Sequence, residues 1–175
     1  MDDTINMSNY SPEKHHRESI RLEGHDYASA GAYFVTICIQ GRDCLLADPD
    51  DCRLNDAGRM VLKTWLEIPD YYSGVEIDVA AVMPNHFHGI IFLEGADLFS
   101  LGDVVQRFKS LTTKKYIDGV KNCNWTAFTD RLWQRNYYEK ILRDDTEWTN
   151  TCHYILNNPT SWIEDDENPF RIERC

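Results

Sequence analysis

The 175-residue sequence has no apolar run approaching the ~18 residues that a membrane span requires. Its six cysteines form no C-x-x-C pair, so a thiolate zinc module is not expected. The start, Met1 to Asn6, has neither a basic n-region nor an apolar h-region, so no secretory signal is read and a cytoplasmic location is expected. In that compartment cysteines stay reduced. Cys38 falls in an apolar strand-like run and Cys152 on a helix-like apolar face, which suits buried thiols. Internal repeats, low-complexity stretches and internal linkers are also missing. Positive charge is in deficit, with 18 Lys+Arg against 29 Asp+Glu and a net charge of −11. Taken as a total, that sign argues against a nucleic-acid partner.

What is present suits one globular domain. The chain is 42% apolar and 27% charged, ordinary values for a soluble protein that buries a core. The charge is unevenly spread. Residues 1–106 carry 7 basic and 18 acidic side chains, residues 107–143 carry 9 and 3, and residues 144–175 carry 2 and 8. The basic stretch contains Arg107, Lys109, Lys114, Lys115, Arg131 and Arg135, interleaved with Phe108, Trp125, Trp133, Tyr137 and Tyr138. Single-strand binders use such interleaving to stack bases beside phosphates, and a solvated helix face explains the same charge run. Arg17 and Arg21, near the polar N-terminus, are further cations within reach of a polyanion.

Hydrophobic periodicity predicts the elements. Ala32–Gln40 is rich in β-branched and aromatic residues and reads as a central strand. A helix follows from Asn55, with Ala57, Met60, Val61, Thr64, Trp65 and Ile68 on one face and Pro69 as its stop. Val75–Met83 and His86–Leu93 read as a hairpin about Pro84-Asn85. Ser100 and Asp103 open a second helix with a capping-box pattern. A strand is predicted over Tyr137–Leu142, and a last helix runs from about Thr146 to before Pro159. The order β-α-β-β-α-β-α predicts an α+β fold with helices on a mainly antiparallel sheet.

Two features carry chemistry. His86 and His88 lie two apart in a predicted strand, so both imidazoles project from one face, half of a divalent metal site. Two hydrogen-bonded histidines on a half-exposed face would look the same. Glu94 shares that face but stands ~20 Å from His88 along an extended strand, too far to ligate the same ion. On the last helix, Trp148, Cys152, Ile155 and Leu156 form the predicted buried stripe. Tyr154 and Asn158, four apart, are neighbours on another face. They read either as a packing tyrosine and a helix cap, or as a phenol nucleophile and an amide ligand one turn apart.

The segments MPNHFHGII (83–91), SLGDVVQRFKSLTTKKYI (100–117), RLWQRNYYEKILR (131–143) and YILNNPTSW (154–162) together resemble the REP-associated tyrosine transposases, an IS200-like branch of the HUH single-strand endonucleases. The resemblance runs from about Arg17 to Trp162. It implies a ferredoxin-like or RRM-like antiparallel sheet with helices packed on one face, a domain expected over 17–162; composition adds a flexible tail before it (1–16) and an acidic one after it (163–175). It implies that His86, His88 and Asn158 hold Mg²⁺ or Mn²⁺ and that Tyr154 is the nucleophile. The implied reaction cleaves and rejoins single-stranded or hairpin DNA through a 5′-phosphotyrosine. Arg107, Lys109, Lys114, Lys115, Arg131, Trp133, Arg135 and Tyr137 are then the expected DNA-binding residues. The chain departs from its relatives in being strongly acidic. A two-tyrosine site at Tyr137 and Tyr138 is set aside, because adjacent strand residues face opposite ways. A non-catalytic RRM-like binder is the competing class, although no RNP-like run is present; a domesticated nuclease needs the same site. Monomer and tyrosine-helix-exchanged dimer both stay open.

Overall fold

The computed structural model describes residues 30–95 and 99–170. The expectations for the 1–16 tail and for Arg17 and Arg21 lie outside the described residues. Four strands, β1 (Gly31–Cys38), β2 (Val75–Val82), β3 (His86–Leu93) and β4 (Tyr138–Leu142), form one sheet in the order β2-β3-β1-β4. All three pairings are antiparallel. Each helix starts where a side chain satisfies an orphan backbone N–H. Asn55 caps α1 (Asp56–Leu66), Ser100 and Asp103 form a capping box on α2 (Leu101–Cys123), and Asp144 caps α3 (Asp145–Asn157). Asn124 ends α2 in the left-handed region, with φ 57°.

Strand alternation divides the core in two. Tyr33, Val35 and Ile37 of β1, with Phe87, Ile91 and Leu93 of β3, point to α1 and α2, where Val61, Trp65, Val104 and Phe108 meet them. Gly89 lets α1 come close, since a Cβ there would stand 2.8 Å from Trp65 Cζ2. The other face buries Phe34, Ile90 and Leu142 against Cys152 and Ile155 of α3. The expected α+β class and antiparallel sheet are therefore present, with α1 and α2 on one face. The third helix adds a layer on the opposite face, because Phe34 and Ile90 alternate out of the main core and need cover. That apolar stripe is narrow, so Leu156, expected in the buried stripe of α3, is 63% exposed.

The chain after α3 also differs from expectation. A 3₁₀ turn (Asn158–Glu164) leads into a segment packed on the domain rather than a tail beginning at 163. Trp162 Nε1 donates to the Pro49 carbonyl at 2.9 Å, and the Asn168 amide, itself buried, donates to the Trp162 carbonyl at 3.0 Å. Asn85 Nδ2 donates to the Glu167 carbonyl at 2.7 Å, and Arg42 pairs with Glu167 at 3.1 Å. Among the described residues no helix is long and apolar enough to cross a membrane.

Candidate metal and nucleophile site

The hairpin turn Met83-Pro84-Asn85 delivers His86 and His88 to the α3 side of the sheet, where both are almost fully buried. Their Nε2 atoms are 2.9 Å apart. The outer nitrogens are anchored. His86 Nδ1 meets Asn85 Oδ1 at 2.9 Å, and His88 Nδ1 meets Thr36 Oγ1 at 2.9 Å. The Asn85 amide nitrogen is committed to the carbonyls of Arg42 and Glu167, so its oxygen faces His86. An amide oxygen only accepts, which puts the His86 proton on Nδ1 and leaves a lone pair on Nε2. Thr36 can donate or accept, so His88 can take either tautomer. Second-partner hydrogen bonds of this kind fix ring orientation in metal sites. Burial, reinforced by His88, pushes the His86 pKa down to about 2, and burial pushes that of His88 down to about 4. Both rings are thus neutral, the form that ligates.

Two oxygen-bearing side chains face this pair. Asn158, 3% exposed at the start of the 3₁₀ turn, brings its amide nitrogen 3.3 Å from His88 Nε2. Its buried Oδ1 has no hydrogen-bond partner among the described residues. A half-turn of the amide puts that oxygen against the histidines. Asp165 Oδ2 lies 3.8 Å from His86 Nε2. Ligand atoms of His86, His88 and Asp165 all fall within 4.8 Å of one another. Two neutral imidazoles, an unsatisfied amide oxygen and a carboxylate make a mixed N/O donor set that suits Mg²⁺ or Mn²⁺. An orphaned buried oxygen is costly without such a partner. Asp165 escaped the sequence reading because it lies seven residues beyond Asn158, in an acidic stretch with no periodicity.

Tyr154 stands one helical turn before Asn158. Its ring centroid is 5.4 Å from His88 and 6.0 Å from Phe34, and the residue is 51% exposed. Burial raises its pKa, the Asn158 side chain draws it back, and Asp165 and Glu167 push it up. These groups line a cavity of about 560 Å³. Tyr138 lines it too. The opposite-face argument holds for the tyrosine pair, since Tyr137 lies on the α2 side with Lys109 Nζ 5.2 Å from its ring centre. The sequence reading did not see that Tyr138, paired with Thr36 in the ladder, shares the histidine face.

The basic segment is split by the fold. Lys114, Lys121, Arg131 and Arg135 line a groove of about 660 Å³ between α2 and the loop before β4. It lies on the α2 side of the sheet, away from the histidines. Lys109 borders it, but its Nζ donates to the carbonyls of Gln134, Arg135 and Asn136, holding that loop in place. Lys115 is drawn away by Glu67 at 2.9 Å and Thr64 at 3.0 Å. Arg107 stacks over Tyr71 and Tyr72. Trp133 requires a correction. It is 4% exposed, belongs to the main core and donates Nε1–H to Thr112 at 2.8 Å, so its ring is not presented for stacking.

Comparisons with known proteins show the family and the fold. The family model described as "Transposase IS200 like" matches residues 33–158, a span that contains both histidines, Tyr154 and Asn158 and stops short of Asp165. An uncharacterized protein of Haemophilus influenzae is 34% identical, over 89% of this chain and 95% of its own. A candidate REP-associated tyrosine transposase of the same organism is 25% identical, over 77% of this chain and 73% of its own. Among solved structures, a REP-associated tyrosine transposase bound to a REP hairpin superposes with a TM-score of 0.60 at 20% identity. That likeness covers 82% of this chain and 76% of the other, and it supports the fold. With a family match across most of its length, and a relative 34% identical over 89% of it, the chain belongs to the IS200-like transposase family.

Proposed function

We propose that this transposase-family protein cleaves and rejoins single-stranded DNA by transesterification on Tyr154, with hairpin-forming repeats as its substrate. The observation that carries the reading is the half-exposed phenol beside a neutral, buried histidine pair and an orphaned amide oxygen. His86, His88, Asn158 Oδ1 and Asp165 are the residues to hold a divalent metal. When bound, such an ion polarises a non-bridging phosphate oxygen and offsets charge in the transition state. Tyr154 Oη forms a bond to phosphorus as the P–O3′ bond breaks. The phenolic proton departs and O3′ gains one, leaving a 5′-phosphotyrosine and a free 3′-OH. The covalent link conserves the phosphodiester, so another 3′-OH can reverse the step and join strands. As placed, the Asn158 side chain draws down the raised pKa of the phenol, and the half-turn that presents Oδ1 to a metal gives up that donor. The hairpin in the structural relative's complex and the groove lined by Lys114, Lys121, Arg131 and Arg135 support folded DNA gripped on the α2 side.

End-labelled single-stranded hairpin DNA incubated with Mn²⁺ tests the reading. The wild-type protein is expected to give a denaturation-resistant protein–DNA adduct, and Tyr154→Phe none. An adduct that persists in Tyr154→Phe removes this nucleophile. Hairpin binding without any adduct in the wild type makes the protein a non-catalytic binder.

A further inference from the structure

On the side of Tyr154 away from the histidines lies a smaller cavity of about 210 Å³, lined by Phe34, Tyr138, Lys140, Asn150, Thr151 and Tyr154, with Glu147 at its rim. Two periodicities create it. In β4, Tyr138 and Lys140 are two apart and share the α3 face of the sheet. In α3, Asn150 and Thr151 lie four and three residues before Tyr154 and so flank the same stripe. Phe34 is its floor, 7% exposed and edge-on to both tyrosines, with centroids 6.2 Å from Tyr138 and 6.0 Å from Tyr154. Phe34, Tyr138 and Tyr154 also line the metal-side cavity, so the two make one trough with the nucleophile at its middle.

We infer that this smaller cavity is a nucleotide subsite, which takes the residue of the DNA strand next to the scissile phosphate, with its base on Tyr138 and its phosphate on Lys140. This rests on the reading of Tyr154 as nucleophile. A strand attacked at Tyr154 must continue past it in both directions, and the two ends of the trough differ in charge. Glu164, Asp165, Asp166 and Glu167 line the histidine end. The other end presents the Lys140 ammonium, whose present partner is Glu147 Oε1 at 3.6 Å. Exposed pairs of that kind contribute little, so the ammonium is free to exchange carboxylate for phosphate. Tyr138 is 44% exposed. Its face suits a base of any identity, because stacking does not depend on the hydrogen-bonding edge. The Asn150 amide supplies both a donor and an acceptor at the same rim.

Binding measured on the full chain with Mn²⁺ tests the subsite independently of cleavage. The probe is a single-stranded oligonucleotide carrying 2-aminopurine at successive positions, titrated against wild type, Tyr138→Ala, Tyr138→Phe and Lys140→Gln. Tyr138→Ala is expected to weaken binding at least about fivefold, the low end for loss of one stacked base. It also relieves 2-aminopurine quenching at one position only, and Tyr138→Phe retains both affinity and quenching. Lys140→Gln is expected to reduce the salt dependence of binding by about 0.7, the value for one neutralised phosphate on a single strand. Wild-type affinity and quenching in Tyr138→Ala, or an unchanged salt slope in Lys140→Gln, overturns the subsite. If the wild type binds and quenches at one Tyr138-dependent position yet forms no adduct, the subsite stands and the nucleophile reading falls. A wild type that does not bind single strands overturns both.

Discussion

Asn158→Leu separates the metal-ligand proposal from a purely structural role for that side chain, because the two make opposite demands on stability. The Asn158 amide oxygen is buried with no partner among the described residues, while its nitrogen approaches His88 at 3.3 Å and its side chain also bonds the Tyr154 phenol. Leaving a buried acceptor unpaired costs about 1–3 kcal/mol. A leucine of similar size removes that cost along with the long bond to His88 and the contact with the half-exposed Tyr154 phenol. Metal-free Asn158→Leu should therefore be as stable as wild type, or more stable by up to about 2 kcal/mol. For a chain of 175 residues, that is a Tm rise of about 0–8 °C. Metal reverses the ranking. At Mn²⁺ a hundredfold above Kd, a bound ion stabilises the wild type by about 2.7 kcal/mol, or about 5–11 °C. If losing the amide oxygen weakens Kd a hundredfold, the same Mn²⁺ stabilises the variant by only about 0.4 kcal/mol, or about 1–2 °C. Calorimetric or dye-based melting across a Mn²⁺ titration reads both quantities. Asp165→Asn should shrink the metal shift in the same series, while Asp166→Asn should not. A wild-type metal shift in Asn158→Leu, or a metal-free Tm several degrees lower, refutes the reasoning.

Neutralising Lys114, Lys121, Arg131 and Arg135 together should flatten the salt dependence of hairpin binding by up to about 0.9 for each phosphate that is no longer neutralised. Lys115→Gln, whose ammonium is held by Glu67, should leave the slope unchanged; a slope unmoved by the quadruple change defeats the groove assignment. The metal-free protein should lose stability as pH falls from about 6.5 towards 4. The sign follows from the folded pKa values of His86 and His88, about 2 and about 4, which lie below the ordinary histidine value of 6.5. In that window the unfolded chain binds more protons than the folded one, which favours unfolding by up to about 1.4 kcal/mol per pH unit per histidine. Denaturant midpoints that stay flat between pH 6.5 and 4 would contradict neutral, buried rings.

The sheet and most helix boundaries were legible because local signals agreed with the tertiary result. Ser100 and Asp103 make the capping box that the sequence displays, α1 begins beside Asn55 as expected, and Pro84-Asn85 turns the hairpin. The histidine pair was legible for the same reason, since a two-residue spacing in a strand fixes a common face. What could not be read depends on how strands stack sideways. Period-two alternation says that Phe34 and Ile90 face away from Phe87, but it does not say that α3 returns to cover them. Asp165 reaches His86 because its segment is pinned to distant parts of the chain, by Trp162 to the Pro49 carbonyl across 113 positions and by Glu167 to Asn85 and Arg42. Trp133 was misread on composition alone, because an aromatic between arginines looks the same whether it is buried or exposed.

Charge shows the same limit most clearly. The block 107–143 looks in one dimension like a single basic surface on an acidic protein. In three dimensions its cations have at least five different employments, of which the stacking of Arg107 on Tyr71 and Tyr72 is one. Lys109 closes the 134–136 carbonyls, Lys115 faces Glu67, Lys114, Lys121, Arg131 and Arg135 line the α2-side groove, and Lys140 emerges on the other face of the sheet. The separation follows from β4 itself. Tyr137 lies on the α2 side with Lys109, and Tyr138 and Lys140 beyond it share the α3 side. The acidic residues 164–167, which the sequence places in a tail, instead fold onto the mouth of the histidine cavity. A net charge of −11 is therefore compatible with a polyanionic partner. Four of the anions gather where a divalent cation is proposed to bind, and cations that are exposed or held only by surface carboxylates lie on the two surfaces where a DNA backbone is proposed to run.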